Sequence, residues 1–296
     1  MFTIPYILEQ LAIGVSTGAI YAIVAIGFNL VFGVLNVLNM AMGATMMVGA
    51  YGFLLAMHLG ITNYWLAMGF GVCIALLTGL VVERVAVRPL KENWWNIKVA
   101  TIGFALFLES LVTRLTDGRP TPYPRPFEIK YYSILGLFEL SNVQIFLVIL
   151  SVVLLGLMVF FLLHTKMGKA IRVLAQSRDL ALCLGIDVQR ATVMTFGISA
   201  ILAGVAGMLN SITFASTYPF VGQQLGLKAV VVLIVAGIGN MWGCLYVGIA
   251  LGILECLAVG FGQSTYRDFI AYSGMILVLL VRPQGLFGEQ SRVKEV

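Results

Sequence analysis

From Leu11 to Val82 the chain runs for 72 residues without one Asp, Glu, Lys or Arg, and its one histidine is His58. A spanning helix needs about 20 predominantly apolar residues, so the run holds roughly three spans and their turns. No soluble domain keeps so long a stretch uncharged. Hydrophobic residues make up 60% of the chain and charged residues 10%, where a soluble domain carries about 25% charged. The membrane class therefore covers all of residues 1–296, read as one polytopic domain. The expected fold is all-α, a transmembrane helical bundle of eight or nine spans with broken or short helices. Met1 to Tyr6 has no basic n-region and Glu9 is the first charge, so the first apolar segment is expected to stay in the mature protein.

Charge clusters, Gly/Pro turns and Asn divide the chain into spans near 10–33, 41–59, 63–82, 98–116, 142–163, 191–212, 226–240, 244–261 and 268–282. The segments 41–59 and 226–240 are short and Gly-punctuated, the pattern of a broken or re-entrant helix surrounded by protein or a water-filled cavity. Lys and Arg set the orientation. Arg84, Arg88, Lys91 and Lys98 fall in one loop, Lys166, Lys169, Arg172, Arg178 and Arg190 in another, and Arg282, Arg292 and Lys294 in the tail. With nine spans all three lie on one side, which marks it as cytoplasmic, with the C-terminus there and the N-terminus outside. The outer side then receives 117–140, whose Pro120, Pro122, Pro124 and Pro126 predict a rigid extended loop and whose later Ile, Tyr and Leu residues suit a small hairpin. Arg114, Arg119, Arg125 and Lys130 are exceptions on that face.

The net charge of +5 is accounted for by these loops, so no nucleic-acid partner is expected. Cys73, Cys183, Cys244 and Cys256 are scattered, and His58 and His164 add no metal-ligand spacing, so neither a metal nor a disulfide is expected.

Between Thr165 and Arg190 lies TKMGKAIRVLAQSRDLALCLGIDVQR, too long for a hairpin and too patterned for disorder. Ala170, Val173/Leu174 and Ser177 recur at helical spacing, with Lys169, Arg172 and Gln176 on other faces. Ser177 suits the cap of a second short turn from Arg178 to Leu184, and Gly185 suits its left-handed end. Such a helix pair offers an apolar knob rimmed by cations. Two readings stand: a docking element for a cytoplasmic partner, or an interfacial helix on anionic headgroups.

Ionisable residues inside a span cost energy and are functional hypotheses by default. Glu109 and Glu255 qualify, either facing the solute path or satisfied locally, Glu255 by Lys228 or Arg267; local satisfaction is the preferred reading for both. The breaks are better pathway candidates. Asn36, Asn39 and Gly43, and again Gly237, Gly239, Asn240 and Gly243, set Asn and Gly between apolar segments, where free backbone groups and helix termini suit a zwitterion. The recurrence of Asn-Met and Gly in NMAMG and GNMWG hints at an internal repeat. Tight packing by small residues is the alternative, and it also explains Gly14, Gly18, Gly204 and Gly207.

Six motifs occur in order along nearly the whole chain: GVSTGAIYAIVAIGFNLVFGVLNVLNMAMGATMMVGAY from Gly14, ERVAVRPL from Glu83, ATIGFALFLES from Ala100, TKMGKAIRVLAQSRDLALCLGIDV from Thr165, GLKAVVVLIVAGIGNMWG from Gly226 and LVLLVRPQGLFG from Leu277. Together they resemble the permease subunits of the branched-chain amino acid class of bacterial ABC importers. The resemblance implies a subunit of the bacterial inner membrane that works with a second related permease, two ATP-binding subunits and a periplasmic solute-binding protein. The chain has no G-x-x-x-x-G-K-[ST] loop, so ATP and magnesium are expected in partner subunits, with no cofactor here and no enzyme activity. The resemblance also makes Gly168 to Ile186 the coupling segment, with Lys169, Arg172, Arg178, Asp179 and Gly185 expected to meet the ATPase.

One departure stands out. Family members commonly carry His or Gln where this chain has Met42. A pathway-facing Met42 implies a more apolar, aromatic or unusual substrate, and a Met42 among packed helices is a gap-filler. The first alternative is therefore a permease for urea, short-chain amides or aromatic acids; from other classes come a stand-alone channel or secondary carrier, and last a membrane enzyme.

Overall fold

The computed structural model describes residues 4–90, 94–126, 130–134, 138–260 and 266–288. Lys91, Arg292 and Lys294, counted above among the basic loops, lie outside the described residues. The helices are α1 (Ile4–Leu35), α2 (Met42–His58), α3 (Tyr64–Val82), α4 (Trp94–Thr116), α5 (Asn142–His164), α6 (Lys166–Gln176), α7 (Arg178–Cys183), α8 (Val188–Phe214), α9 (Val221–Ala236), α10 (Met241–Gly260) and α11 (Tyr266–Val281). Six of them are long and apolar enough to cross a membrane, namely α1, α3, α4, α5, α8 and α10, while α2 and α9 are shorter apolar helices. Each segment expected to span has a helix in its place, so the fold is the helical bundle read from the sequence.

The boundaries shift most at α1 and α9. The helix α1 runs back to Ile4 through Glu9, because a single charge near a helix end does not stop a helix. The segment expected at 226–240 starts at Val221 and stops at Ala236, where Gly237 turns to φ +94°. Gly226, expected at a helix start, lies inside α9.

The strands are short. β1 (Thr121–Pro122) pairs antiparallel with β4 (Ser216–Thr217), and β2 (Tyr131–Ile134) with β3 (Phe138–Ser141) as the expected hairpin. Ser141 then caps α5 in a capping box with Gln144. The Tyr123 ring stacks on Phe53 with centroids 4.8 Å apart, and its backbone N–H donates to Ala215 at 2.9 Å. Burial pushes the Tyr123 phenol well above its ordinary range.

The helices meet at their small residues. α1 lies along α10, with Gly14 on Ile253, Gly18 on Gly248 and Ile249, and Ala22 on Gly248. A Cβ at Gly252 would collide with the Gly18 backbone. Gly49 packs on Gly204, and Gly207 on the Met46 backbone, which seats α2 against α8. α1 and α8 are thereby mostly buried, while α4 and α5 are largely exposed around them. The spacing of four on both helices, Gly14-Gly18-Ala22 and Gly248-Gly252, is the small-xxx-small pattern by which helices approach closely in lipid.

The basic loops gather at one end of the bundle. Gln189, with its amide oxygen turned to the Arg88 guanidinium, accepts from Nε at 2.9 Å. Ala175 of α6 meets Gly33 of α1. The tail returns to α9, where Leu286 and Phe287 donate their N–H groups to Val235 and Ala236 at 2.8 and 3.1 Å. Those bonds satisfy carbonyls that the end of α9 would otherwise leave free.

Gly252→Ala and Gly222→Ala are expected to destabilise the protein by about 1–3 kcal/mol each through overpacking, because the added Cβ meets Gly18 in one case and Gly43 in the other. Gly69→Ala and Gly274→Ala, whose Cβ would meet nothing within 4 Å, should stay within about 0.5 kcal/mol. Thermal melting of the four variants in mild detergent measures the difference.

Candidate functional site

At the basic end, α6 folds back sharply on α5. Thr165 caps α6 by accepting from Gly168 N at 2.9 Å, and a Cβ at Gly168 would collide with Phe161 O. Ile171 and Leu174 bury one face of α6. Ser177 accepts from Leu180 N at 3.3 Å to start α7, and Gly185 closes it at φ +70°. Asp187 then caps α8 and pairs with Arg190 at 3.0 Å. Leu180, Leu182 and Leu184 stand exposed, and so do Lys169, Arg172 and Asp179. Arg178 opens α7 in the backbone, and its side chain lies outside the described residues. The pair thus presents exposed leucines beside exposed cations.

Behind it runs a groove of about 460 Å³ that joins Arg172 and Gln176 to Asn29, Gly239, Asn240 and Phe287. Gly239 N donates to Asn29 Oδ1 at 2.8 Å. Asn240 caps α10 by accepting from Gly243 N at 2.9 Å, and its Nδ2 donates to Phe287 O at 3.0 Å. The break at 237–240 is therefore a tied joint between α9, α10, α1 and the tail.

The other break is packed more tightly. Asn36 ends α1 in the left-handed region at φ +53°, and Asn39 accepts from Ala41 N at 3.1 Å just ahead of α2. Asn39 and Asn240 thus each close a turn leading into a helix, which is what the repeated Asn-Met letters encode locally. Met42 is 1% exposed, with its Cε over Gly27. Gly43 crosses Gly222 so closely that a Cβ on Gly222 would strike Gly43 O. Glu109 is buried on α4 beside a surface cleft it shares with Arg114 and Phe220, and its carboxyl group makes no hydrogen bond or ion pair among the described residues.

Glu255 lies elsewhere, in a cluster of α1, α9, α10 and α11. It is fully buried, and its Oε2 accepts from Arg267 Nε at 2.7 Å, Tyr21 Oη at 2.8 Å and Lys228 Nζ at 3.0 Å. Arg267 also donates to Tyr21 Oη at 3.0 Å, and Asp268 reaches Lys228 at 3.1 Å. A cavity of about 270 Å³ opens beside this cluster. Tyr218 donates to Gln224 Oε1 at its edge, and burial together with Asp268 pushes the Tyr218 phenol up, so it stays a donor.

The sequence gathers these residues only in part. Lys228 and Arg267 are the named alternatives for Glu255, and both bind it. Tyr21 carries no sequence signal, being one aromatic in an apolar run. Asn29, a lone amide in α1, belongs to the joint at 237–240. Glu83 is also buried, with Oε1 lacking a partner among the described residues, where α3 widens into a π-turn over Glu83–Val87.

Comparison with known proteins follows the same outline. The profile of the family described as branched-chain amino acid transport system / permease component matches residues 10–280. The chain is 32% identical to the high-affinity branched-chain amino acid transport system permease protein LivH of Salmonella typhimurium, over 96% of each chain. It is 31% identical to the permease protein BraD of Pseudomonas aeruginosa, over 95% of each. Identity to the permease LivM of Escherichia coli is 25%, over 95% of this chain and 71% of that one. Among solved structures, PsaBC from Streptococcus pneumoniae in complex with Fab superposes with a TM-score of 0.50 at 14% identity over 93% of each chain, a likeness of fold alone.

Removing one partner from a buried ion pair costs about 3–5 kcal/mol when it leaves the other charge uncompensated. Glu255→Gln strips the anion from two cations and should fall in that range. Lys228→Met should cost clearly less, because Glu255 keeps Arg267 and Tyr21. Melting of the two variants side by side would show the opposite order if the cluster did not centre on Glu255.

Proposed function

Because the chain belongs to the family of permease components of branched-chain amino acid transport systems, we propose that it is one membrane-spanning subunit of an ATP-driven importer for branched-chain or other hydrophobic amino acids. A second, related permease completes the pathway, two ATP-binding subunits supply the energy with ATP and magnesium, and a periplasmic binding protein delivers the solute. The end carrying Arg88, α6 and α7 faces the cytoplasm, and the N-terminus is outside.

The observation that carries this reading is the α6–α7 pair. A buried Gly168 turn holds it rigidly against α5 while Leu180, Leu182 and Leu184 remain exposed beside Lys169 and Arg172. A self-contained channel or carrier has no need of such a surface. A groove on an ATP-binding subunit would cover the leucines, and the cations would meet its rim. The LivH and LivM relatives are both named as permeases of high-affinity branched-chain transport systems, which fits a pair of unlike permease subunits.

Purification of the tagged chain from mild detergent should recover ATP-hydrolysing subunits and a second permease, with ATPase activity stimulated by the loaded binding protein. Arg172→Glu with Arg178→Glu, or Leu180→Asp with Leu184→Asp, should abolish that stimulation while the chain remains folded. Recovery of the chain alone, with ATP-independent solute flux in liposomes, would overturn the importer reading. Unchanged stimulation in both double variants would remove the coupling role from α6 and α7.

A further inference from the structure

We propose that the cavity beside Tyr21, Lys228 and Arg267 binds the carboxylate of the transported solute, with Lys228 as the cation that holds it. The inference rests on the importer reading and assigns a site within it.

The charge balance points this way. Glu255 is the fully buried anion of the cluster, and two cations converge on its Oε2, at 3.0 Å from Lys228 and 2.7 Å from Arg267. One carboxylate balances one of them. The surplus positive charge is met by Asp268, which sits 3.1 Å from Lys228 Nζ. An ammonium has three donors; those of Lys228 go to Glu255, Tyr21 and Asp268. Asp268 differs from the other two acceptors, because its side chain is 63% exposed whereas that of Glu255 is 0%. It lies on the first turn of α11 and is solvated well enough to leave. A carboxylate of the protein thus already occupies the position on Lys228 that a free carboxylate would take.

The cavity walls fit the rest of an aliphatic amino acid. Lys228, Arg267 and Tyr21 line one side, and Phe214, Val221 and Leu225 supply apolar surface. Asn210 and Gln224 add amide groups that can accept from an ammonium. Val221 and Gln224 belong to the first turn of α9, so the positive end of that helix adds to the same field. The cavity lies at the end of the bundle away from Arg88 and α6, among the end of α8 and the starts of α9 and α11. That is the side where a solute would be handed over.

Direct binding of radiolabelled L-leucine to the assembled importer in nanodiscs, with the binding protein left out, tests the assignment. Isovalerate, which keeps the carboxylate and the branched chain, should compete. L-Leucinamide, which lacks the carboxylate, should compete about tenfold more weakly or worse, the expected loss of a charge-assisted hydrogen bond. Lys228→Met should weaken leucine binding by a similar factor and Lys228→Arg should restore most of it. Asp268→Asn, at a 63% exposed side chain, should tighten binding by removing the internal competitor. Equal competition by leucinamide and isovalerate, or unchanged leucine binding in both Lys228→Met and Asp268→Asn, would overturn the assignment. So would a complex that imports leucine with its binding protein but shows no saturable binding without it, and that outcome would leave the importer reading standing. Failure of the wild-type complex to import leucine would instead count against the importer reading.

Discussion

In lipid, two apolar helices gain nothing from hiding their surfaces from water, so what holds them together is close contact. The seam between α1 and α10 depends on this more than any other part of the bundle. Gly14, Gly18 and Ala22 meet Ile253, Ile249, Gly248 and Gly252 at distances where an extra methyl group would strike backbone. The seam also sets the register of every polar group that α1 contributes. Tyr21 reaches Glu255, and Asn29 reaches Gly239 and Cys244, from the same helix. A slip of one turn along α10 would carry both about 5.4 Å out of place. The glycines therefore fix the ion cluster and the joint at 237–240 together, although they touch neither.

Most of the fold is legible in the sequence because the bilayer imposes a length on each helix and the gaps are marked with charge, Asn and Gly. The α6–α7 pair is legible in detail for a different reason: Thr165, Ser177, Gly185 and Asp187 are capping and turn residues that act locally. The misplaced start of α9 comes from its glycines. Gly226 and its neighbours have the pattern of a helix start, yet glycine in a membrane helix is often a packing residue, and Gly222 and Gly226 sit within α9 facing α2 and α1. Local sequence cannot distinguish a glycine that ends a helix from one that admits a neighbour.

The polar sites show the same division. Asn39, Met42 and Gly43 share one break in the sequence, but in the structure they do three separate things. Asn39 makes a turn bond, Met42 fills a gap over Gly27 and Gly43 lets the backbone cross Gly222. The cluster around Glu255 can be anticipated as a pairing with Lys228 or Arg267, since an isolated charge at that depth is costly. That both cations bind it, that Tyr21 joins them and that Asp268 completes the balance are facts of tertiary packing among four helices. The cavity follows from the same packing, and no sequence pattern marks its walls.

The helix α9 connects the two ends. Its first turn lines the cavity beside Lys228, and its last carbonyls accept from the tail at Leu286 and Phe287. Its 16 residues span about 24 Å as one rigid rod. Beyond Ala236 the chain passes through Gly237 and Gly239, both at positive φ, before α10 begins. The hydrogen bonds of Gly239 to Asn29 and of Asn240 to Phe287 hold that turn to α1 and the tail. Gly239 and Asn240 of this joint also line the groove against which Arg172 and Gln176 lie. The groove at the basic end thus reaches the glycine joint after α9, and the opposite end of that helix is the wall of the cavity.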